Sequence, residues 1–280
     1  MAVRTVLGGI TFPEGPRWHE GRLWFSDFYT HRVIALTEEG WAETMAHVPQ
    51  QPSGLGWRPD GTMLVVSMLD RRLMKLEHGE LSVVADLSGV AGGPCNDMVV
   101  DAAGRAYVGN FGFDRAGGEP QQDAALARVD PDGSVQVAAE GLAFPNGAVI
   151  TPDGKRFIIG ETLGHRLTAF DVAADGGLSG RRVFADLPGV WPDGICLDAE
   201  GAVWVADARG GRVVRVKEGV GVVETIAMAE GRHAFACMLG GADRKTLFLC
   251  TSTASGPVMA DKRDGAIEAV RVAVPGAGLP

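Results

Sequence analysis

The sequence predicts an all-β fold: a six-bladed β-propeller with four-stranded blades. Three observations carry that expectation. First, one phrase recurs: a polar residue, a short apolar strand, a tight turn closed by glycine, and a second apolar strand. Its fullest copy runs from Trp191 to Ala206, with Asp193 as the polar residue and Gly201 in the turn. Second, the register is regular. The step from polar residue to turn glycine is 7, 8, 8, 8 and 8 positions (14→21, 53→61, 96→104, 146→154, 193→201), and the copies start 39, 43, 50 and 47 residues apart. Such periods mark propeller blades. Third, the segments are rich in Val, Ile, Phe and Trp and are cut by Asp-Gly and Pro-Asp turns, which argues for strands over helical repeats.

The elements follow in order. Residues 3–8 read as a lone strand ahead of the first unit. Unit one covers about 12–48, with strands at 23–25 and 32–36; unit two covers about 51–86, with strands at 63–66, 72–76 and 81–84. Unit three begins at Pro94-Cys95-Asn96 and carries a Gly- and charge-rich insertion, Gly112 to Gln122, before a strand at 125–129. Units four and five open at Phe144-Pro145-Asn146 and Trp191-Pro192-Asp193. The sixth is a worn copy, starting at His233 with a second strand at 247–250 and a third at 265–272. Little chain remains for its fourth strand, so residues 3–8 are expected to fill that edge, because a ring left open would expose unpaired backbone. Residues 275–280 read as a tail. One domain spanning 1–280 is expected.

Composition narrows the partners. A hydrophobic share of 46% with 22% charged residues fits a well-buried globular chain. The net charge of −9 offers no basic face to nucleic acid. No apolar run reaches ~18 residues, so no membrane partner is expected, and the N-terminus lacks the features of an export signal. Cys95, Cys196, Cys237 and Cys250 form no Cys-x-x-Cys pair; reduced, buried thiols point to the cytoplasm. The sequence sets no oligomeric state.

The recurring polar residue is the functional clue. In a propeller the innermost strand of each blade lines the central channel, so a residue just ahead of that strand sits at the channel mouth. Collected there are Glu14, Ser53, Asn96, Asn146 and Asp193, with a residue near Phe235 from the sixth blade. Two carboxylates and two carboxamides make an all-oxygen set, which suits a hard divalent cation such as Ca²⁺, with Zn²⁺, Mn²⁺ or Mg²⁺ as alternatives. Asn or Asp before Gly is also an ordinary turn signal. Four such residues at one register favour a site.

The phrases Glu14-Gly15-Pro16-Arg17-Trp18, Asn96-Asp97-Met98-Val99-Val100-Asp101, Pro145-Asn146-Gly147, Pro192-Asp193-Gly194 and Leu239-Gly240-Gly241-Ala242-Asp243 resemble the gluconolactonase/regucalcin (senescence marker protein) family of six-bladed lactonases. The resemblance runs from about residue 12 to 252. It implies Glu14, Asn146 and Asp193 as divalent-metal ligands, Asp193 also as the base that activates water, Asn96 as a substrate-side residue close to the metal, and Asp114 as an acidic substrate contact. One position departs: sugar-lactone members carry Arg two places before the Asn matched by Asn96, and here it is Pro94. Gluconolactone itself is therefore not the expected substrate. Phe12, Phe111, Phe113, Phe144, Trp191 and Phe235 cluster near blade starts or in the insertion, where they could receive a less polar lactone or ester.

The expected chemistry is the opening of a small lactone by a metal-polarised carbonyl and an activated water. Asp193 can act as base; Asn96 and Asn146 can orient but do not titrate. Ser53 and His233 are expected at the mouth as substrate contacts. No Gly-x-Ser-x-Gly elbow is present, and the six histidines form no His-x-x-x-His pair; most are expected on exposed turns. The glycine pairs 92–93 and 210–211 are not followed by a helix and make no phosphate loop. Phosphotriester hydrolysis on the same scaffold, or a non-enzymatic binding propeller, are the alternatives.

Overall fold

The computed structural model describes residues 2–278. After β1 (Arg4–Ile10), blade one is β2–β5 (Pro13–His19, Arg22–Asp27, Arg32–Leu36, Ala42–His47), and blade two is β6–β9 (Pro52–Trp57, Met63–Ser67, Arg72–Glu77, Glu80–Asp86). Blade three is β10–β13 (Cys95–Val100, Ala106–Asn110, Ala124–Val129, Val135–Leu142), and blade four is β14–β17 (Pro145–Ile150, Arg156–Glu161, Arg166–Val172, Leu178–Asp186). Blade five is β18–β21 (Pro192–Leu197, Val203–Asp207, Arg212–Lys217, Gly221–Ala227). The sixth holds β22 (His233–Gly240), β23 (Thr246–Ser252) and β24 (Gly265–Arg271), and its outer place is taken by β1. A short helix, α1 (Met259–Lys262), interrupts the β23–β24 connection.

Each blade is a four-stranded antiparallel sheet, and the first five run in chain order from the channel outward. The expected closure by the N-terminal strand holds: Arg4 pairs with Ala269 and Leu7 with Ile267. That pairing leaves no raw edge on β24 and ties the two ends of the chain into one sheet. Inner and second strands are buried on both faces, as β10, β11, β14, β18 and β19 show at every residue, because neighbouring blades stack face to face. The core is accordingly a ring of interblade layers. One layer joins Leu64, Val66 and Leu73 of blade two to Met98, Val100 and Val108 of blade three.

Two expectations about chain course need correction. The polar residues do not precede the inner strands; each is the second residue of its strand. Residues 275–278 are not a tail either. Ala199 N–H donates to Pro275 O at 2.8 Å, Gly276 N–H to Arg244 O at 2.8 Å and Ala277 N–H to Leu197 O at 2.9 Å, so the segment stitches blades five and six across the channel floor. Residues 279 and 280 lie outside the described residues. Just inside that floor, beside Arg17, Cys196 and Arg244, is a cavity of about 10 Å³, room for roughly one water. The opposite face is the open one, where Glu14, Tyr29, Trp191 and His233 keep partial access to solvent.

Candidate functional site at the channel mouth

Every inner strand carries a β-bulge at the polar position. In blade five Pro192 faces Asp207 and Ile195 faces Val205, so three steps on one strand meet two on the other. The same slip occurs at Pro52/Leu55, Cys95/Met98 and Pro145/Ala148, just after Glu14 in blade one, and at Phe235 in blade six. A bulge bends its strand and re-aims the side chain there. Repeated around the ring, it turns Glu14, Ser53, Asn96, Asn146 and Asp193 toward the channel mouth. The following glycines let the bulges crowd together: a Cβ on Gly194 would lie 2.4 Å from Ala236 Cβ, and one on Gly147 would lie 2.5 Å from Ile195 N.

The side chains brought together are hydrogen-bonded in a definite pattern. Ser53 Oγ donates to Asn96 Oδ1 at 3.3 Å. Asn146 Nδ2 donates to Thr162 Oγ1 at 3.3 Å, and the same amide favours the charged form of the Asp193 carboxyl. Asn96, Asn146 and Asp193 are buried, while Glu14 keeps partial access to solvent from the open face. Burial pushes the Glu14 carboxyl well above its ordinary value, and the charges of Asp193 and Asp97 push it further; the Gly15 N–H and Arg17 pull the other way. Asp193 is raised by burial and then by Asp97, against the Asn146 hydrogen bond and the Gly194 N–H. Two acids from blades one and five thus destabilise one another's charge. Arg17 is the cation that acts on Glu14, and its guanidinium is already taken by Asp97 at 2.7 Å.

A collar stands above these oxygens. The residues two positions before the bulges are Phe12, Gln51, Pro94, Phe144, Trp191 and His233. In five blades the carbonyl of that residue accepts from the N–H just past the second strand, as in Phe28 to Phe12, Met68 to Gln51, Phe111 to Pro94, Thr162 to Phe144 and Ala208 to Trp191, at 2.8–3.1 Å. Side chains from blades one, two, three and six meet in one cluster of Phe12, Phe28, Met68, Phe235 and Met259 with Tyr29 and Phe111 against it. Phe12 and Phe235 have ring centroids 4.7 Å apart, and Phe111 stacks on Phe144 at 4.5 Å.

The remaining expected residues are less central. Phe113 is buried against Gly93, where a Cβ would come 2.4 Å from Phe113 O. Glycines 92 and 93 therefore serve this close approach of the insertion. Asp114 is exposed in that insertion, and its Oδ1 accepts from Gly117 N–H at 2.8 Å. His233 lies at the mouth, half-buried, with Nδ1 lacking a hydrogen-bond partner among the described residues. Of the six histidines only His47 and His78 are exposed, so the expectation of exposed turns fails for the others; His165, for one, holds Val190 O at 2.7 Å.

Residues 12–253 match the profile of the SMP-30/Gluconolactonase/LRE-like region. The chain belongs to this family. Among curated relatives of the SMP-30/gluconolactonase family, the pentonolactonase XacC of Haloferax volcanii is 30% identical over 93% of this chain and 88% of its own length. The 6-deoxy-6-sulfogluconolactonase of Pseudomonas putida is 30% identical over 99% and 94%. Among solved structures, the calcium-binding protein regucalcin from Agrobacterium tumefaciens superposes with a TM-score of 0.83 at 21% identity, covering 100% of this chain and 96% of that one. A luciferin-regenerating enzyme gives 0.83 at 20% identity, covering 99% and 98%. At such identities these two superpositions speak for the fold.

Three residues of this family member escaped the sequence reading. Arg17 and Asp97 are each the odd residue of their row. Three places past the polar residue the six blades read Arg17, Gly56, Val99, Val149, Cys196 and Met238. One place past it they read Gly15, Gly54, Asp97, Gly147, Gly194 and Ala236. A charge where five equivalents are small or apolar was the available signal. Tyr29 had none: it lies in the turn after β3, and burial with the nearby Glu14 charge pushes its phenol up to about 12. Conversely, the acids ending second strands are structural. Asp27 accepts from Thr11 and Phe12 N–H, Glu161 from Ala143 N–H, and Asp207 from Trp191 N–H, each holding the approach to an inner strand.

Proposed function

We propose that the protein opens a small lactone at the channel mouth with the help of one divalent cation. The observation that carries this reading is the pair Glu14 and Asp193: two acids from different blades, each raised by burial and by neighbouring negative charge, while Arg17, the cation that acts on Glu14, is paired with Asp97. Among the described residues no three His, Cys, Asp or Glu side chains sit together as a metal cluster. The donor set here is two carboxylates with carboxamide oxygens, which matches the oxygen preference of a hard cation. Glu14, Asn146 and Asp193 would hold it, with Ca²⁺ as the first candidate. When bound it would supply charge neutralisation and a Lewis acid for the ester carbonyl.

The chain's own groups then account for the rest. Asp193 accepts a proton from water as the water adds to the carbonyl carbon; the ring C–O bond breaks and the proton passes to the departing alkoxide, leaving a hydroxy acid. Asn96, steadied by the Ser53 hydroxyl, and Asn146, steadied by Thr162, orient water and ester without exchanging protons. The buried walls keep bulk water from competing for those hydrogen bonds. Phe113, Asp114 and His233 are assigned to the substrate side. Four unpaired thiols suit a reducing compartment, and the cytoplasm is the proposed location. The six blades are taken as one domain over residues 1–280.

The test is lactone hydrolysis by chelator-stripped protein resupplied with Ca²⁺, Zn²⁺, Mn²⁺ or Mg²⁺, beside Asp193→Ala. Turnover should return with cation in the parent and stay absent in the variant. Parental turnover by Asp193→Ala would refute the assignment.

A further inference from the structure

Resting on the lactonase reading, we infer that the lactone taken by this site carries an apolar ring-sized or alkyl substituent, not a set of hydroxyls. Any substrate that reaches Asp193 from the open face passes the collar two residues above the bulges. Four of its six members, Phe12, Pro94, Phe144 and Trp191, are apolar. The two polar members offer little: Gln51 Nε2 is turned onto Met68 Sδ at 2.9 Å, and His233 is a single handle. Thr162, in the second tier, donates its hydroxyl to Pro192 O at 2.6 Å. The collar itself offers a polyol one open partner, His233, and the insertion adds Asp114, and each further hydroxyl stripped of water without a partner weakens binding. An alkyl or aryl group would instead exchange water for the half-exposed rings of Phe111, Tyr29 and Trp191, the last with Arg209 over one face.

Phe144 holds φ 62°, and Gln51, at the same collar position in blade two, holds φ 69°, so this turn accepts either residue type. In blade four it presents a ring at the mouth, stacked on Phe111. Phe235 likewise fills the bulge position that carries an oxygen-bearing side chain in the other five blades. Below His233, the sixth side of the mouth is therefore apolar at the level of the carboxylates.

The experiment compares kcat/KM for δ-valerolactone, δ-octalactone, δ-decanolactone and glucono-δ-lactone on one cation-loaded preparation, with spontaneous hydrolysis subtracted. The three alkyl lactones share ring chemistry, so their differences report the collar. Each set of added methylenes buried in an apolar pocket raises specificity by about 10-fold or more. We expect δ-decanolactone to exceed δ-valerolactone by at least that factor, with glucono-δ-lactone below both. Phe111→Ser should shrink the decanolactone-to-valerolactone ratio, chiefly through KM. A flat or falling alkyl series, or preference for glucono-δ-lactone, overturns the inference while leaving lactone opening intact. No turnover of any of the four, repeated on preparations loaded in turn with Ca²⁺, Zn²⁺, Mn²⁺ and Mg²⁺, removes the lactonase reading, and this inference falls with it.

Discussion

Arg17 Nη2 lies 2.7 Å from Asp97 Oδ1, joining the first blade to the third inside the channel, with both side chains buried. The clasp is reinforced from both sides: Arg17 Nη1 donates to Pro16 O at 2.7 Å, Nη2 also reaches Met98 O, and Met98 N–H donates to Asp97 Oδ1 at 2.8 Å. It occupies Arg17 with a third carboxylate, whose charge still raises Glu14 and Asp193, and so leaves the charge of those two for a cation.

Breaking this pair from one side should be costly. Arg17→Met leaves Asp97 as a buried, unpaired charge, and the expected loss is about 3–5 kcal/mol in urea unfolding. Arg17→Met/Asp97→Asn removes both charges and should recover part of that loss. Equal destabilisation of the single and double variants would show that the guanidinium contributes by packing alone.

The raised carboxyls set a pH dependence with a definite sign. Folded values of Glu14 and Asp193 lie above the unfolded ones, so their contribution to stability is complete below the unfolded values, about 3.9–4.3, and is lost as pH rises through the folded values. Chelator-treated protein should therefore lose stability on going from pH 5 to pH 8. Asp193→Asn should flatten that slope and raise the metal-free Tm at pH 8, by roughly 2–4 °C for a gain of about 1 kcal/mol. Added cation should raise the parent's Tm at pH 8 and leave the variant's unchanged. A parent slope of opposite sign, read by differential scanning fluorimetry, would contradict the electrostatic picture.

Thiol chemistry offers an independent check on the interior. All four cysteines are buried; burial pushes Cys95 up to about 12 and holds Cys237 and Cys250 well above the ordinary thiol value. Cys196 and Cys237 are neighbours at 3.8 Å between sulfurs, too far apart to be bonded. Folded protein should react with almost none of its thiols toward an aromatic disulfide reagent at pH 8, and all four should react after unfolding. Prompt reaction of one or two in the folded state would place a cysteine at an accessible surface.

How much of this was legible in sequence depends on the range of the interaction. The blades were readable because each is a local event, two short apolar strands about one glycine turn. The closing strand was readable because the sixth unit ran out of chain. The gathering of Glu14, Ser53, Asn96, Asn146 and Asp193 at one end of the channel was readable from repetition, since each recurs near the start of an inner strand. The bulges were not: a bulge is defined by pairing with the partner strand, and Asp193 looks like a residue before a strand until Ile195 is seen facing Val205. Arg17–Asp97 spans 80 positions and exists only once the ring has closed. The role of residues 275–278 was hidden for the same reason: their partners, Leu197, Ala199 and Arg244, sit in other blades.

The closing strand also predicts the outcome of a truncation. Removing residues 2–10 deletes β1 and bares the hydrogen-bonding edge of β24, together with the apolar contacts of Val6 and Leu7 to the blade-six layer. An unpaired edge of that length recruits other strands. The shortened protein should aggregate or self-associate by size-exclusion chromatography and unfold at lower temperature. A monomeric product of parental Tm would mean that closure contributes little.

The tightest constraint on the mouth is the spacing of adjacent bulges, and Gly194 tests it. A Cβ there would lie 2.4 Å from Ala236 Cβ and 2.6 Å from Ala236 Cα, distances that backbone atoms cannot absorb by a rotamer change. Gly194→Ala must therefore push blade five from blade six by several tenths of an ångström next to Asp193. Overpacking of this kind costs about 1–3 kcal/mol. The displacement also moves the Asp193 carboxylate relative to Glu14, so cation affinity should fall along with stability. Gly201→Ala is the control: it lies in the turn at the other end of the same strand, φ is 74°, and no atom stands within 4 Å of its Cβ. It should lower stability through backbone strain while leaving cation affinity at the parental value. Isothermal titration of both variants separates the two effects, and equal affinity for Gly194→Ala and the parent would show that the ring of bulges does not set the geometry of the site.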